Sequence, residues 1–183
     1  MVYHFTLTLT GVNAQTPGLE DALFECGCDD ALLCFYGSTV YLEFDRESNG
    51  FEQAVLSAIA NIESGTLPAR VVSVDATLLG LSDIAQRSQL SRQAIAMLKD
   101  GTRGPGSFPA PVQRLTGHSP LWRWASVARW LYEQGKLSAE LAENAQVMEN
   151  INLALALRET PQRQYVTQLA ARLTHSNEQN SVI

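Results

Sequence analysis

The opening residues constrain the fold more than anything after them. Tyr3, Phe5, Leu7 and Leu9 alternate with polar residues, a period of two that suits a β-strand with one buried face. Such a strand needs neighbours in its sheet and a layer to cover it, and the following residues supply both. Residues 19–26 read as a short helix, with Thr16 expected at its N-cap and Pro17 in its first turn. Residues 31–35 and 39–44 read as two strands joined around Tyr36-Gly37-Ser38, a hairpin signal. Beyond Ser48-Asn49-Gly50, the residues Phe51, Val55, Ala58, Ile59 and Ile62 fall on one helical stripe. Arg70-Val71-Val72-Ser73-Val74 closes the unit as a last strand.

The resulting order, β-α-β-β-α-β over residues 1–75, is that of a ferredoxin-like α/β sandwich, so the expected class is α+β. That order hosts many functions and selects none. The whole chain has 183 residues, 45% of them hydrophobic and 17% charged, which excludes disordered and low-complexity classes. No apolar run reaches the ~18 residues of a membrane span, and the first residues lack the basic and apolar regions of a signal peptide. Three cysteines make no disulfide framework. A cytoplasmic protein is therefore expected.

Net charge conceals a division. The chain carries 13 basic and 19 acidic residues, a formal charge of −6. Residues 1–75 hold two basic and eleven acidic side chains, a local charge of −9. Residues 76–130 hold seven basic residues against Asp83 and Asp100, a local charge of +5. Contacts with a polyanion depend on local charge, so the acidic total does not argue against nucleic acid. The competing reading of the +5 stretch is an ordinary solvated face.

Residues 81–101 carry the most informative pattern. Ser82 is expected to cap a short helix bearing Ile84 and Ala85, and Ser91, directly after Leu90, to cap a second with Ile95 and Leu98 inward. Two short helices joined this tightly cross steeply, with the small Ala85 at the crossing and Leu90, Ile95 and Leu98 as anchors. Arg92, Gln93, Ala96 and Lys99 are left facing outward, residue types suited to base edges and phosphates in a major groove. The run resembles the helix-turn-helix of bacterial and phage regulators. Gln89 stands where such turns often carry a left-handed Gly, at a cost of about 1 kcal/mol, which predicts a looser or differently shaped turn. An ordinary helical hairpin is the competing reading.

Residues 104–131 add Phe108-Pro109-Ala110-Pro111-Val112, a turn around Gly117, then Leu121-Trp122-Arg123-Trp124 leading to Val127, Trp130 and Leu131. Prolines belong on edge strands, and a two-stranded wing is all edge. Over residues 81–131 the chain resembles AlpA-like prophage regulators and excisionases, within the MerR-like winged-helix group. That resemblance implies double-stranded DNA as partner. Ser91, Arg92 and Gln93 are the candidate base readers, and Lys99, Arg103, Arg114 and His118 the candidate phosphate contacts. Arg123 is open between a stack with the tryptophans and a DNA contact. Trp122, Trp124 and Trp130 read as core.

Nothing points to catalysis, a cofactor or a metal. Cys26 and Cys28 form a lone C-x-C pair, Cys34 reads as core, and His4, His118 and His175 are scattered. Gly101 to Gly106 follow a helix, the wrong context for a phosphate loop. An acylphosphatase would need an arginine after the first strand, where Val12-Asn13-Ala14-Gln15 has none. The acidic surface, Glu43 and Asp45 included, reads as solvated charge.

The expected organisation is an acidic unit over residues 1–75, a winged helix-turn-helix over 76–134, C-terminal helices over 135–175 and a polar tail over 176–183. Leu141, Met148, Ile151 and Leu155, widened by Leu153 and Leu157, give residues 137–158 more apolar surface than a small reader needs. Thr160-Pro161 opens a further helix with Tyr165, Leu169 and Leu173 on one face. A homodimer through residues 137–174 is expected, because one recognition helix reads too few base pairs alone. The expected function is a sequence-specific transcriptional repressor. The alternative is an antitoxin or adaptor whose N-terminal unit, residues 1–75, binds a partner protein.

Overall fold

The computed structural model describes residues 1–179, with side chains through Thr174. Strand β1 (Val2–Thr10) buries Phe5, Leu7 and Leu9 on one face. Helix α1 (Leu19–Glu25), strands β2 (Ala31–Tyr36) and β3 (Thr39–Glu47), helix α2 (Phe51–Ser64) and strand β4 (Arg70–Val74) follow. The strands form one antiparallel sheet in the order β2-β3-β1-β4. Helix α2 lays Ala54, Val55, Ala58, Ile59 and Ile62 into the core, as its stripe predicts. Thr16 does not cap α1. Its hydroxyl accepts the Asn13 N–H at 2.9 Å, closing a turn, and Gly18 at φ 66 occupies the N-cap. Cys34 is also not core: Ala31 and Leu33 face inward, so alternation turns Cys34 to the other face of the sheet, half-buried.

An inward arginine completes this unit. β3 turns Val40, Leu42, Phe44 and Arg46 to the buried side. The Arg46 guanidinium donates to both Asp30 oxygens at 2.7 and 2.8 Å, to the Gly27 carbonyl at 2.8 Å, to Asn61 Oδ1 at 2.9 Å and to Ser57 Oγ at 3.2 Å. It lies 4.9 Å from the centre of the Phe44 ring. A buried charge is tolerable only when paired and hydrogen-bonded, and every nitrogen of this one is.

The second half begins with β5 (Leu78–Leu79), which pairs antiparallel with β6 (Trp122–Arg123). Between them run α3 (Leu81–Ser88) and α4 (Arg92–Lys99), and after them α5 (Trp124–Glu133), α6 (Ala139–Glu159) and α7 (Arg163–Gln179). β6 is only two residues long, since Trp124 already starts α5. Ser82 is not the cap of α3. The cap lies two residues earlier, at Gly80, whose N–H is accepted by Asp83 Oδ2 at 3.3 Å. Thr160 closes α6 rather than opening α7, which starts at Arg163. The tail expected over 176–183 is helical to Gln179, and its last four residues lie outside the described ones. Among the described residues the class is mixed α+β: seven helices, a four-stranded antiparallel sheet and a two-stranded sheet. No described helix is long and apolar enough to cross a membrane.

Helix α6 joins the halves. Its Ala145, Met148, Ile151 and Leu155 are buried in one cluster with the sheet, α2 and α5, so Met148, Ile151 and Leu155 of the apolar stripe expected to form a dimer are used within the chain, while Leu141 and Leu153 stay exposed. Asn152 accepts the Val74 N–H at 2.9 Å and donates to the Val74 carbonyl at 2.7 Å. Arg158 donates to the Val71 carbonyl at 2.8 Å and to both oxygens of Glu63. Glu63 in turn accepts the Val71 N–H at 3.0 Å. The outer edge of β4 is thus satisfied by side chains rather than by a fifth strand. Asn152→Ala leaves two backbone groups unpaired and should lower stability by about 2–4 kcal/mol, read as a lower urea midpoint.

Asp75 ends β4 with a left-handed backbone, φ 44. Its N–H donates to the Thr6 carbonyl at 2.9 Å, and its carboxylate accepts the Thr6 N–H at 3.1 Å. Burial raises its pKa, outweighing the pull of Arg87 and the Thr6 bond. With the folded value above the unfolded one, its contribution to stability is fully present in acid and is lost as pH rises through the folded pKa. Asn keeps the acceptor oxygen and tolerates positive φ. Asp75→Asn should therefore be the more stable form at pH 7, and stability measured from pH 4 to pH 7 should fall less steeply than in the parent chain.

Candidate nucleic-acid interface

The helix pair α3–α4 is built by its apolar residues. Ile84, Ala85, Ile95 and Leu98 are buried and Leu90 packs against them. Ser88 is buried as well, and its hydroxyl donates to the Ile84 carbonyl at 2.7 Å. Gln89 adopts φ 56, ψ 26, the left-handed conformation that a glycine would take at this turn. The turn expected to be looser is therefore tight, with the Leu90 N–H donating to the Ala85 carbonyl at 3.1 Å. Burial of Leu90 and Ile95 behind the turn outweighs the left-handed strain. Gln89→Gly should remove that strain and raise stability by about 1 kcal/mol without altering the exposed face of α4, a difference that urea titration resolves.

Ser91 caps α4, its Oγ accepting the Ala94 N–H at 3.1 Å. Ser91, Arg92 and Gln93 are all exposed and occupy one turn at the helix N-terminus. Lys99 lies at the other end, about 12 Å along the axis at 1.5 Å per residue, and is ion-paired with Asp100. The structure brings the three candidate base readers together and sets Lys99 apart from them. Arg92, Arg103 and Arg114 are exposed and in no ion pair among the described residues.

The connection from α4 to β6 is anchored at one end and open at the other. Met97 O accepts the backbone N–H groups of Thr102 and Arg103 at 3.1 and 3.2 Å. Gly104, at φ 81, passes so close to Leu98 that a Cβ there would stand 3.1 Å from its side chain. The Phe108 ring meets Trp130 edge-on at 5.2 Å and Trp122 at 6.5 Å. Trp122 Nε1 donates to the Pro109 carbonyl at 2.9 Å, and Trp130 Nε1 to Ser107 Oγ at 3.1 Å. The tryptophans are buried, with each described indole N–H of this pair satisfied by the loop.

Beyond this anchor, Gln113 and Leu121 form an isolated antiparallel bridge. The Gly117 N–H donates to the Arg114 carbonyl at 3.2 Å, making a tip that carries Arg114, at φ 55, and His118. Val112 through Ser119 are exposed, Leu115 by 65%. The hairpin thus projects from the body with cationic and polar side chains at its end. Arg123 neither stacks on the tryptophans nor is free: Glu149 accepts from it at 2.6 Å.

Elsewhere, Cys26 Sγ and Cys28 Sγ lie 3.8 Å apart, and burial, reinforced by Cys26, pushes the Cys28 thiol up to about 12. No group of three or more His, Cys, Asp or Glu among the described residues is placed to hold a metal ion. Sequence reasoning missed β5, whose two leucines give no periodic signal, and the hydrogen-bonding ends of α6. Asn152 is legible in retrospect as a polar residue between Ile151 and Leu155. No protein-family model matches the chain, and comparison with curated proteins and with solved structures finds no match.

Proposed function

We propose that the chain is a sequence-specific DNA-binding transcriptional regulator, a repressor of the AlpA-like, MerR-related winged-helix kind. On this reading α3 and α4 are the helix-turn-helix, the Arg114 hairpin is the wing, and the sheet unit is a ferredoxin-like sandwich. The observation that carries it is α4 itself. Its apolar side, Ile95 and Leu98, is buried against α3, and the opposite side presents Ser91, Arg92 and Gln93 at the helix N-terminus. Helix N-termini favour phosphate, and arginine and glutamine match the hydrogen-bonding edges of guanine and adenine. The exposed Arg114 of the hairpin and the +5 charge of residues 76–130 supply the sequence-independent part of the affinity. The sheet order β2-β3-β1-β4, antiparallel throughout, supports the sandwich assignment.

A helix some 12 Å long spans about four base pairs at 3.4 Å each. Specific binding then calls for two half-sites and a homodimer. With the centre of the α6 stripe used internally, the dimer rests on α7, whose Tyr165 and Leu173, 52% and 70% exposed, share one helical face with Leu169. Light scattering on the full chain and on a chain ending at Glu159 tests this: loss of the dimer in the shorter chain is the expected result.

Fluorescence anisotropy against duplexes from the chain's own upstream region tests the reader. Arg92→Ala should narrow the gap between specific and random duplex by about 1–3 kcal/mol. Lys99→Ala should weaken both duplexes alike and lower the slope of log K against log salt by about one. No binding to any duplex at low salt would overturn the reading.

A further inference from the structure

β1 is nine residues long, but β4 pairs only with its C-terminal half, Leu7 to Thr10. Asp75 then turns the chain away, and the place a longer β4 would take beside Val2, Tyr3, His4 and Phe5 is left as a cleft of about 750 Å³. The alternation of hydrogen bonding says what faces it. Met1 exchanges both its backbone bonds with Ser48 on the β3 side, and Thr6 directs both of its own to Asp75 on the β4 side. Odd residues of β1 therefore bond to β3, and the N–H and C=O of Val2 and His4 point into the cleft. Helix α6 forms the far wall with Leu141, 41% exposed, and with Asn144 and Met148. Trp124 is a further lining residue. Four carboxylates, Glu43, Asp45, Asp75 and Glu140, line the cleft against Arg87 and the Met1 ammonium, with Asp45 paired to His4, so acids still outnumber the fixed cations.

We propose that this cleft is a docking site for an extended basic peptide segment of a partner protein, which adds to the sheet beside β1 and continues the line of β4. A row of unpaired backbone donors and acceptors at strand spacing is what a peptide main chain recognises and a compact small molecule does not. The excess of carboxylates selects lysine or arginine at alternating positions, because side chains of an added strand point alternately to the two faces. The free stretch of β1, about 13 Å at 3.3 Å per residue, sets the length at four or five residues. This site is independent of the proposed DNA reader, which it neither requires nor supports.

The test is selection from a random linear heptapeptide phage library on the immobilised full chain. Enriched peptides are then synthesised and their affinities measured by anisotropy. Peptides with alternating lysine or arginine and no central proline are expected. Their affinity should fall about tenfold or more in two variants, consistent with one lost hydrogen bond or one repelled charge. His4→Pro deletes an N–H that faces the cleft and makes no bond to β3, and Leu141→Arg places a cation on the far wall. Thermal melting of both variants checks the fold, and Leu141→Arg alone carries the test if His4→Pro melts early. Absence of enriched peptides, enrichment without basic residues, or equal affinity for parent and Leu141→Arg chains would overturn the proposal. Duplex binding measured on the same variants keeps its failure distinct from that of the DNA reading.

Discussion

The edge of β4 is the constraint on which the two halves of the molecule depend. A sheet edge exposes backbone donors and acceptors that must be paired, solvated or covered. Here Asn152 takes both groups of Val74, and Glu63 with Arg158 takes both groups of Val71. Because Asn152 and Arg158 belong to α6, and α6 packs along α5, covering the edge also fixes the sheet against the helices that carry the exposed cations. One helix thus performs two tasks, and its 21 residues are long enough to span both. A flexible linker between the halves would have satisfied neither edge residue.

The same economy governs the buried polar groups. Among the described residues no buried side-chain nitrogen or oxygen lacks a partner. Arg46 is the demanding case, since a guanidinium carries five donors and all must be met away from water. Asp30 supplies a two-oxygen fork, and Gly27, Ser57 and Asn61 supply the rest from three other points of the chain. Replacing Arg46 alone strands Asp30, whereas an apolar pair in both places removes the demand altogether.

Much of the sheet was legible because its signals are local. The alternation in β1, the Tyr36-Gly37-Ser38 hairpin, the α2 stripe and the limits of β4 all follow from periods of two or 3.6 within a few residues. What was not legible depends on distant partners. Arg46 sits at an inward position of a strand, which reads as an error until Asp30 and Asn61 are brought to it. The surplus apolar stripe of residues 137–158 reads equally well as an interface or as core, and only the bare edge of β4 decides between them. In the candidate interface, Ser91, Ile95 and Leu98 were placed correctly from spacing alone, because a cap and two anchors fix the register of a short helix. Gln89 was misjudged because a left-handed strain of about 1 kcal/mol was weighed without the burial of its neighbours, which exceeds it. Ser82 and Thr16 were misjudged because a glycine takes the N-cap in both cases, Gly18 in a left-handed conformation and Gly80 in an extended one.

The division of charge gains meaning from the rigid join. The sheet unit carries −9 and residues 76–130 carry +5, and the two are held together by packed apolar contacts and backbone hydrogen bonds rather than by a tether. On the proposed reading, a polyanion approaching the molecule meets opposite potentials on its two sides. Phosphate contacts are then gained only when α4 and the hairpin lead, because turning the molecule over presents Glu43, Asp45 and the other acids of the sheet instead. Such a field falls off over about 8–10 Å at physiological salt, less than the width of the molecule, so the acidic side does not cancel the attraction of the basic one. Separation on a rigid frame therefore makes a net charge of −6 compatible with a polyanion partner, where the same residues interspersed would have repelled it from every direction.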